Sequence, residues 1–217
     1  MRLLQKTLTL LLCALLTAGC SETGGASAPP EDKETRLSVV ATLFPQYDFA
    51  RRVGGEHADV AMLLAPGVES HSFDPTPADL VKIGQSDLFL YTGDEMEPWA
   101  RKLAESGDAK GARIVDLSAG IPLLEPAEDE HEAHGEASGH HHAVDPHIWT
   151  SPDNAIHMVE TIAAAFAEAD PAHAADYTAN AESAVAELRS LDDELFAIVK
   201  DARRRELVFG GRFAFHY

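Results

Sequence analysis

The chain has 217 residues, 45% of them apolar, and its 36 acidic against 17 basic side chains give a net charge of −19. This length allows one large domain or two small ones, and the apolar content is ordinary for a globular protein. The acidic balance argues against nucleic-acid binding, which requires a basic surface, and it is compatible with the attraction of cations.

The amino terminus is typical of a bacterial export signal. A basic region precedes an apolar run at 8–16 that is too short to span a bilayer. The sequence TAGC at 17–20 resembles a lipobox, so residues 1–19 are predicted to be a lipoprotein signal peptide and Cys20 to carry the lipid. The alternative is an ordinary secretory signal with an unmodified Cys20, and both interpretations predict export.

Cleavage before Cys20 limits the chemistry of any metal site. Cys13 would leave with the signal peptide, and no other cysteine remains for a disulfide or as a zinc ligand. A metal site would therefore use His, Asp and Glu. Residues 20–36 are rich in Gly, Ser, Pro and charge, and they are predicted to form a flexible tether.

Beyond the tether, short apolar runs alternate with segments that carry helix signals. The predicted order is strand 37–43, helix 46–53, strand 59–64, helix 77–85, strand 87–91, helix 97–105 and strand 112–117. Strands that alternate with helices predict parallel βαβ units. We therefore expect an α/β fold in which helices cover both faces of a parallel sheet.

Two helix starts carry clear capping signals. Thr76 is suited to the N-cap, Pro77 to the first helical position and Asp79 to the positive end of the helix dipole. The Ser-Pro pair at 151–152 starts another helix, which is predicted to run to about Glu168.

A much longer helix is predicted from Pro171 to about Arg204. Its apolar residues recur along one face, at Tyr177, Ala181, Ala184, Leu188, Leu191, Leu195 and Ile198. At ~1.5 Å per residue this helix would span roughly 50 Å, which is more than one small lobe needs. Residues 171–205 are therefore interpreted as a linker helix between two lobes, and a coiled-coil dimer is the competing interpretation of the same pattern.

This linker divides the predicted fold into parts of unequal size. Residues 37–170 form an amino-terminal α/β lobe. Residues 206–217, which begin with a strand at 207–209, are interpreted as the start of a second α/β lobe that is mostly missing from a truncated chain.

The segment from 128 to 149 carries the strongest chemical signal. Residues 128–142 have no periodicity and no apolar face, so we expect a solvated loop that collects metal ions weakly. Its histidines are His131, His134, His140, His141 and His142. His147 differs, because Pro146 precedes it and two large apolar residues follow, which restrains the backbone and holds one imidazole in place. The alternative is a polar loop that happens to be rich in histidine, or an engineered tag.

The order of these motifs resembles a known family. The motifs are the lipobox, Pro-Gly at 66–67 followed by His71 and Pro75, the histidine-rich loop, DPHIW at 145–149, the long helix and RFAFHY at 212–217. From residue 37 to 217 the chain resembles the zinc- and manganese-binding substrate-binding lipoproteins of bacterial ABC importers. Its histidine-rich loop resembles that of the zinc-binding members.

The resemblance implies two α/β lobes joined by a rigid helix, with the metal between them. His71 and His147 match the family motifs and are implied as ligands from the first lobe, on loops that leave the carboxyl ends of strands. The third family ligand is a histidine at the position of Arg212, and a guanidinium cannot coordinate zinc. His216 is the substitute candidate, although we expect it on another face. The fourth family ligand, an Asp or Glu, would lie beyond Tyr217.

The resemblance also implies a function. We expect a monomeric, lipid-anchored protein outside the cytoplasm that captures zinc, with manganese as the alternative, and delivers it to an ABC permease and its ATPase subunit. A surface adhesin of the same family is the first alternative. A zinc hydrolase is the second, but the sequence has neither His-Glu-x-x-His nor a nucleophile elbow. We therefore expect a binding protein and not an enzyme.

Overall fold

Four short parallel strands form the central sheet of the computed structural model, which describes residues 35–107, 109–125, 144–204, 206 and 216–217. The strands are β1 (Leu37–Ala41), β2 (Ala58–Met62), β3 (Leu88–Tyr91) and β4 (Arg113–Asp116), and their order in the sheet is β2-β1-β3-β4. Ala41, the last residue of β1, pairs with both Met62 and Leu90. The carboxyl ends of the strands therefore lie at one edge of the sheet.

Helices connect and flank these strands. They are α1 (Phe44–Gly54), α2 (Pro77–Gly84), α3 (Pro98–Ser106), α4 (Pro152–Ala169) and α5 (Ala174–Lys200), with 3-10 turns at Ile148–Thr150 and Pro171–His173. The predicted cap of α2 is confirmed, because the backbone N–H of Asp79 donates to Thr76 Oγ1 at 3.3 Å. The Asp79 carboxylate accepts from the Thr76 backbone N–H at 2.9 Å, which completes a capping box.

Alternate residues of the strands enter two separate cores. Val39 and Leu90 belong to a large core that also contains side chains of α1, α4 and α5, with Ile162 and Phe166 fully buried. Val40 and its neighbours on the opposite face pack with α2 and α3. Both faces of the sheet are therefore covered, and the prediction of an α/β fold with a parallel sheet is confirmed.

The first half of α5 packs on this lobe, and the second half does not. Tyr177 and Ala184 are buried, and Nδ2 of Asn180 donates to the carbonyl of Val53 at 3.0 Å, which joins α5 to α1. The apolar residues farther along the helix are exposed: Leu191, Leu195, Phe196, Ile198 and Val199. The predicted apolar face of the helix is therefore present, but among the described residues only its first half is buried against other side chains.

The bounds of this long helix differ from the prediction. It begins at Ala174, because residues 171–173 form a 3-10 turn in which the Asp170 carboxylate lies 2.7 Å from Nδ1 of His173 and accepts from the Tyr177 hydroxyl at 2.7 Å. It ends at Lys200 and does not reach Arg204. The predicted signal peptide, the tether up to residue 34, the histidine-rich loop and the strand at 207–209 lie outside the described residues. Of the helices that the structure describes, none has the length and apolar character to cross a membrane.

Candidate metal centre

Two loops bring His71 and His147 together at the carboxyl edge of the sheet. His71 lies in the connection between β2 and α2, and His147 immediately precedes the 3-10 turn that leads into α4. The ring centroids are 5.8 Å apart and the ring planes meet at 76°. Two imidazoles on one tetrahedral zinc ion, with Zn–N distances of about 2.0–2.1 Å, have centroids roughly 5 Å apart. The observed separation is close to that value.

The side chain of Glu69 closes the turn that carries His71. Its Oε1 accepts from the backbone N–H of His71 at 3.1 Å, and its Oε2 accepts from the N–H and the hydroxyl of Ser72 at 2.9 and 2.7 Å. Burial raises the pKa of Glu69, but the hydrogen bonds from Ser72 and His71 outweigh this effect, and the pKa is lowered. An ionised Glu69 therefore fixes the backbone around His71.

Asp145 sets the orientation and the tautomer of His147. Its Oδ1 accepts from the backbone N–H of His147 at 2.9 Å and lies 2.7 Å from Nδ1 of the ring. Since a carboxylate can only accept, Nδ1 carries the proton and Nε2 carries the lone pair. Metal-binding histidines are commonly held by a carboxylate in this way. His147 is thus prepared to donate Nε2 to a metal ion.

The last two residues of the chain reach the same loop. The Tyr217 hydroxyl donates to the carbonyl of Asp145 at 2.8 Å and accepts from the N–H of Leu124 at 3.2 Å. The N–H of Asp145 donates to the carbonyl of Leu124 at 2.7 Å. Nε2 of His216 lies 3.8 Å from Oδ2 of Asp145. The His216 ring therefore lies near the carboxylate that holds His147, and its role as a ligand stays a prediction.

A cleft of about 460 Å³ lies beside the two histidines. Its lining is mostly apolar and includes Pro66, Val68, Met96 and Trp149, and His147 also lines it. The Trp149 ring packs against the His147 ring at 5.5 Å and 69°. An apolar wall excludes water and lowers the local dielectric, which strengthens the attraction between a bound cation and its ligands.

The described residues form a pair of candidate ligands and not a complete site. Within 35–107, 109–125, 144–204 and the final two residues, no three His, Cys, Asp or Glu side chains are grouped so that they could hold one ion. The roles of His71, His147 and His216 as ligands stay predictions. The other candidate residues lie outside the described part of the chain: Cys20, His131, His134, His140, His141, His142 and Arg212.

Sequence reasoning assigned no role to Glu69, Asp145 or Tyr217. The signal for Asp145 was present, because an acidic residue two positions before a histidine can close an Asx-type turn onto it. Glu69 offered a similar short-range signal. Tyr217 offered none, since it is separated by 72 positions from Asp145.

Comparison with known proteins places the chain among zinc-uptake proteins. Residues 39–217 match the family model described as zinc-uptake complex component A periplasmic (ZnuA). The chain is 36% identical over 199 residues to the high-affinity zinc uptake system protein ZnuA of Bacillus subtilis (strain 168), and the match covers 90% of this chain and 61% of that protein. It is 33% identical over 209 residues to the zinc-binding lipoprotein AdcA of Streptococcus pneumoniae (strain ATCC BAA-255 / R6), covering 94% of this chain and 40% of that one.

The fold agrees with a solved structure of the same kind. The crystal structure of Zn(II)-bound AdcA from Streptococcus pneumoniae matches with a TM-score of 0.67 and 30% identity, over 79% of this chain and 34% of the other. The chain thus spans 61% of the Bacillus subtilis relative and 40% of the Streptococcus pneumoniae relative, less than two thirds of either. The family match nonetheless extends over most of the sequence, from β1 to Tyr217. This chain belongs to the ZnuA family of periplasmic zinc-uptake complex components.

Proposed function

We propose that this chain binds zinc outside the cytoplasm and delivers it to an ABC permease and its ATPase subunit. The observation that carries the proposal is the pairing of His71 with His147, whose Nδ1 is held by Asp145. The names of its relatives, a zinc uptake system protein and a zinc-binding lipoprotein, support the same cargo. A protein that hands over its cargo acts as a binding component and not as an enzyme.

The donor atoms favour zinc over manganese. Imidazole nitrogen suits zinc, whereas manganese prefers carboxylate, carbonyl and water oxygens. His71 and His147 supply two nitrogen donors, and the Asp145 carboxylate is engaged with the His147 ring. Manganese is therefore the alternative cargo.

His216 is the proposed third ligand. Arg212 stands at the family's histidine position, and its permanently charged guanidinium has no lone pair to offer a metal ion. Nε2 of His216 lies 3.8 Å from Oδ2 of Asp145, the carboxylate whose Oδ1 holds Nδ1 of His147. A rotation of the His216 side chain would break its contact with Asp145 and allow the ring to coordinate zinc.

The amino terminus supports a place on the outer face of a membrane. The TAGC sequence at 17–20 supports lipidation at Cys20, and the polar residues that follow would separate the lipid from the lobe. Lipidation would keep a monomer close to its permease. The fold and the export signal thus support capture of zinc outside the cytoplasm.

Zinc titration by calorimetry tests the metal site, in protein that lacks residues 128–142. His71→Ala and His147→Ala are each expected to weaken binding by at least about tenfold, or about 1.4 kcal/mol. His216→Ala should weaken it as well, because a third donor is lost. Binding should also weaken at acid pH, because a protonated imidazole can no longer coordinate a metal ion.

His157→Ala is the matched control. His157 lies on α4, and its Nε2 lies 2.8 Å from the carbonyl of Ala119, so its loss should leave zinc binding unchanged. Unchanged binding in His71→Ala or in His147→Ala would contradict the proposed site. Unchanged binding in His216→Ala alone would remove the third ligand and leave the pair.

A further inference from the structure

A cluster of buried polar side chains lies next to the cleft, at the carboxyl ends of β1 and β3. Thr42 follows β1, Thr92 follows β3, and both pack with Gln46 and Glu97; none of the four is more than 1% exposed. The Gln46 amide lies between the two hydroxyl groups, and with its oxygen toward them its NH2 donates to the carbonyl of Leu43 at 3.0 Å. Buried polar groups are costly unless they are bonded, so this cluster holds its members in one arrangement.

Glu97 closes the turn between β3 and α3. Its Oε2 accepts from the backbone N–H of Thr92 at 2.6 Å, and its own N–H donates to the carbonyl of Gly93 at 2.9 Å. Gly93 has φ +146°, and a Cβ atom there would lie 2.7 Å from Cβ of Ser118, so only glycine fits. The turn is therefore tight, and both the side chain and the backbone N–H of Glu97 bond to its first residues.

Met96, in this turn, connects it to the loop of His71. The Met96 side chain is 1% exposed and lines the cleft. The Ser70 hydroxyl, which also lines the cleft, donates to Sδ of Met96 at 3.4 Å. Since Ser70 directly precedes His71, a displacement of Met96 would be transmitted to the histidine. The backbone of Glu97 directly follows Met96 and sets its position.

The carboxyl group of Glu97 is buried without a basic group as its hydrogen-bond partner among the described residues. Burial raises its pKa to about 7, hydrogen bonds from Thr42 and Thr92 oppose the rise, and the negative charge of Asp116 on β4 adds to it. Glu97 therefore changes its protonation in the neutral range. When it ionises, the buried negative charge destabilises the turn between β3 and α3.

We propose that Glu97 is a positioning residue for the metal site, which holds the His71 loop against the cleft through Met96 and Ser70. For its zinc readout, this inference rests on the proposed function. Glu97 contacts neither candidate ligand, so it acts on His71 through the packing of the turn and not by coordination.

Hydrogen–deuterium exchange tests the positioning role without zinc. Glu97→Ala is expected to increase exchange several-fold in peptides that cover residues 66–75, since Met96 loses its support. Glu97→Gln keeps a carbonyl oxygen for the Thr92 N–H and resembles the protonated acid, so it should restore the wild-type rate at pH 6. Between pH 6 and pH 8, exchange corrected for its intrinsic pH dependence should rise in the wild type and stay constant in Glu97→Gln. A merely structural role would give no such difference in pH profile.

Zinc affinity at pH 7 is the second readout, with Ile162→Ala as the matched control. Ile162 is fully buried on α4 in the large core, so its truncation destabilises the fold without touching the turn. We expect Glu97→Ala to weaken zinc binding about tenfold and Ile162→Ala to leave it within about twofold of the wild type. If Glu97→Ala does not fold, Met96→Ala, which removes the contact with Ser70 and leaves Glu97 in place, should produce the same loosening of 66–75.

The outcomes separate this inference from the proposed function. Wild-type exchange at 66–75 in both Glu97→Ala and Met96→Ala, or equal zinc affinity in Glu97→Ala and wild type, would overturn the positioning role. Unchanged zinc binding in His147→Ala would contradict the proposed zinc site instead. The exchange experiment, which is done without zinc, would still test whether Glu97 positions the His71 loop.

Discussion

Among individual side chains, Asp145 has the most direct influence on the candidate site. Its Oδ1 holds both the backbone N–H and the ring of His147, and its carbonyl accepts from Tyr217. One residue thus links the ring that is proposed to bind zinc with the end of the chain. A carboxylate in this position also fixes the tautomer and the orientation of the imidazole, both of which coordination of a metal ion requires.

Replacement of this carboxylate provides a test. Asp145→Asn removes the charge and allows the amide NH2 to face Nδ1, which would place the ring proton on Nε2 and block coordination. We expect zinc affinity to fall by about 10- to 100-fold, the usual range for loss of such a contact. Calorimetric titration at constant pH measures it.

Asp176→Asn is the control for this substitution. Asp176 also contacts a histidine, since its Oδ2 lies 3.1 Å from Nε2 of His57, but that pair lies beside the amino end of β1, where His57 bonds Leu37. Zinc affinity should therefore be unchanged in Asp176→Asn. Equal losses in both variants would mean that the effect of Asp145 is one of charge alone.

The sequence singled out the two candidate histidines, whose role as ligands stays a prediction, but it did not reveal their surroundings. His71 and His147 stand in short, unusual motifs with proline nearby, and such motifs are visible in one dimension. The hydrogen bond of Tyr217 to Asp145 joins segments that are 72 positions apart. The bond from the Thr92 N–H to Glu97 spans only five positions, but the burial of Glu97 depends on packing with Thr42 from a distant segment. Nothing in spacing or composition distinguishes a buried glutamate from an exposed one, so Glu97 was interpreted only as part of a helix start.

At the level of helices and loops, the connection between β4 and α4 is held together at its base. Its two ends are joined, because the N–H of Asp145 donates to the carbonyl of Leu124 at 2.7 Å and Tyr217 bridges the same two residues. In sequence, residues 128–142 lie between Leu124 and Asp145. The lobe is therefore expected to tolerate their removal.

Deletion of Glu128 to His142 tests the role of the histidine-rich segment. Each ion that binds there must order the chain, so binding should be weak, and the deletion should remove weakly bound zinc only. The thermal midpoint of the lobe and the affinity of the main site should change little. Equilibrium dialysis that showed an unchanged number of bound zinc ions would contradict this role.

Helix prediction succeeded where local chemistry decides the outcome. The Thr76 capping box requires only residues within one turn, and the structure contains it. The start of α5 at Ala174 was missed, because Asp170 holds His173 and Tyr177 in a way that favours a 3-10 turn after Pro171. The periodic seam of α5 identified its apolar face, but periodicity does not reveal what covers that face, and Leu195 is 45% exposed.

For the chain in its entirety, the fold class followed from the alternation of strands and helices, and the family match supports it from residue 39 to 217. The division into lobes stays a prediction, because it depends on residues beyond the described part. The acidic composition, with a net charge of −19, suits a protein that attracts divalent cations.

Attachment to the membrane is predicted to depend on a single sulfur atom. Cys20→Ser removes the thiol that would receive the lipid, so the protein should move from the membrane fraction to the soluble exported fraction. Fractionation and immunoblotting measure the change. Cys13→Ser, within the predicted signal peptide, is the control and should remain with the membrane; equal membrane retention of Cys20→Ser would contradict the lipobox interpretation.

The junction of Leu124 with Asp145 has a consequence for how such a protein can evolve. When the ends of a loop are pinned together, the entropy of closing it grows only with the logarithm of its length, and each doubling costs about 0.6 kcal/mol. That cost is small beside the roughly 5–15 kcal/mol that stabilises a typical domain. Insertions that add histidines between these two residues are therefore close to neutral for folding. On the predicted role of the histidine-rich segment, the number of its metal-binding histidines can then change from one descendant to the next, while the geometry around His147 is inherited intact.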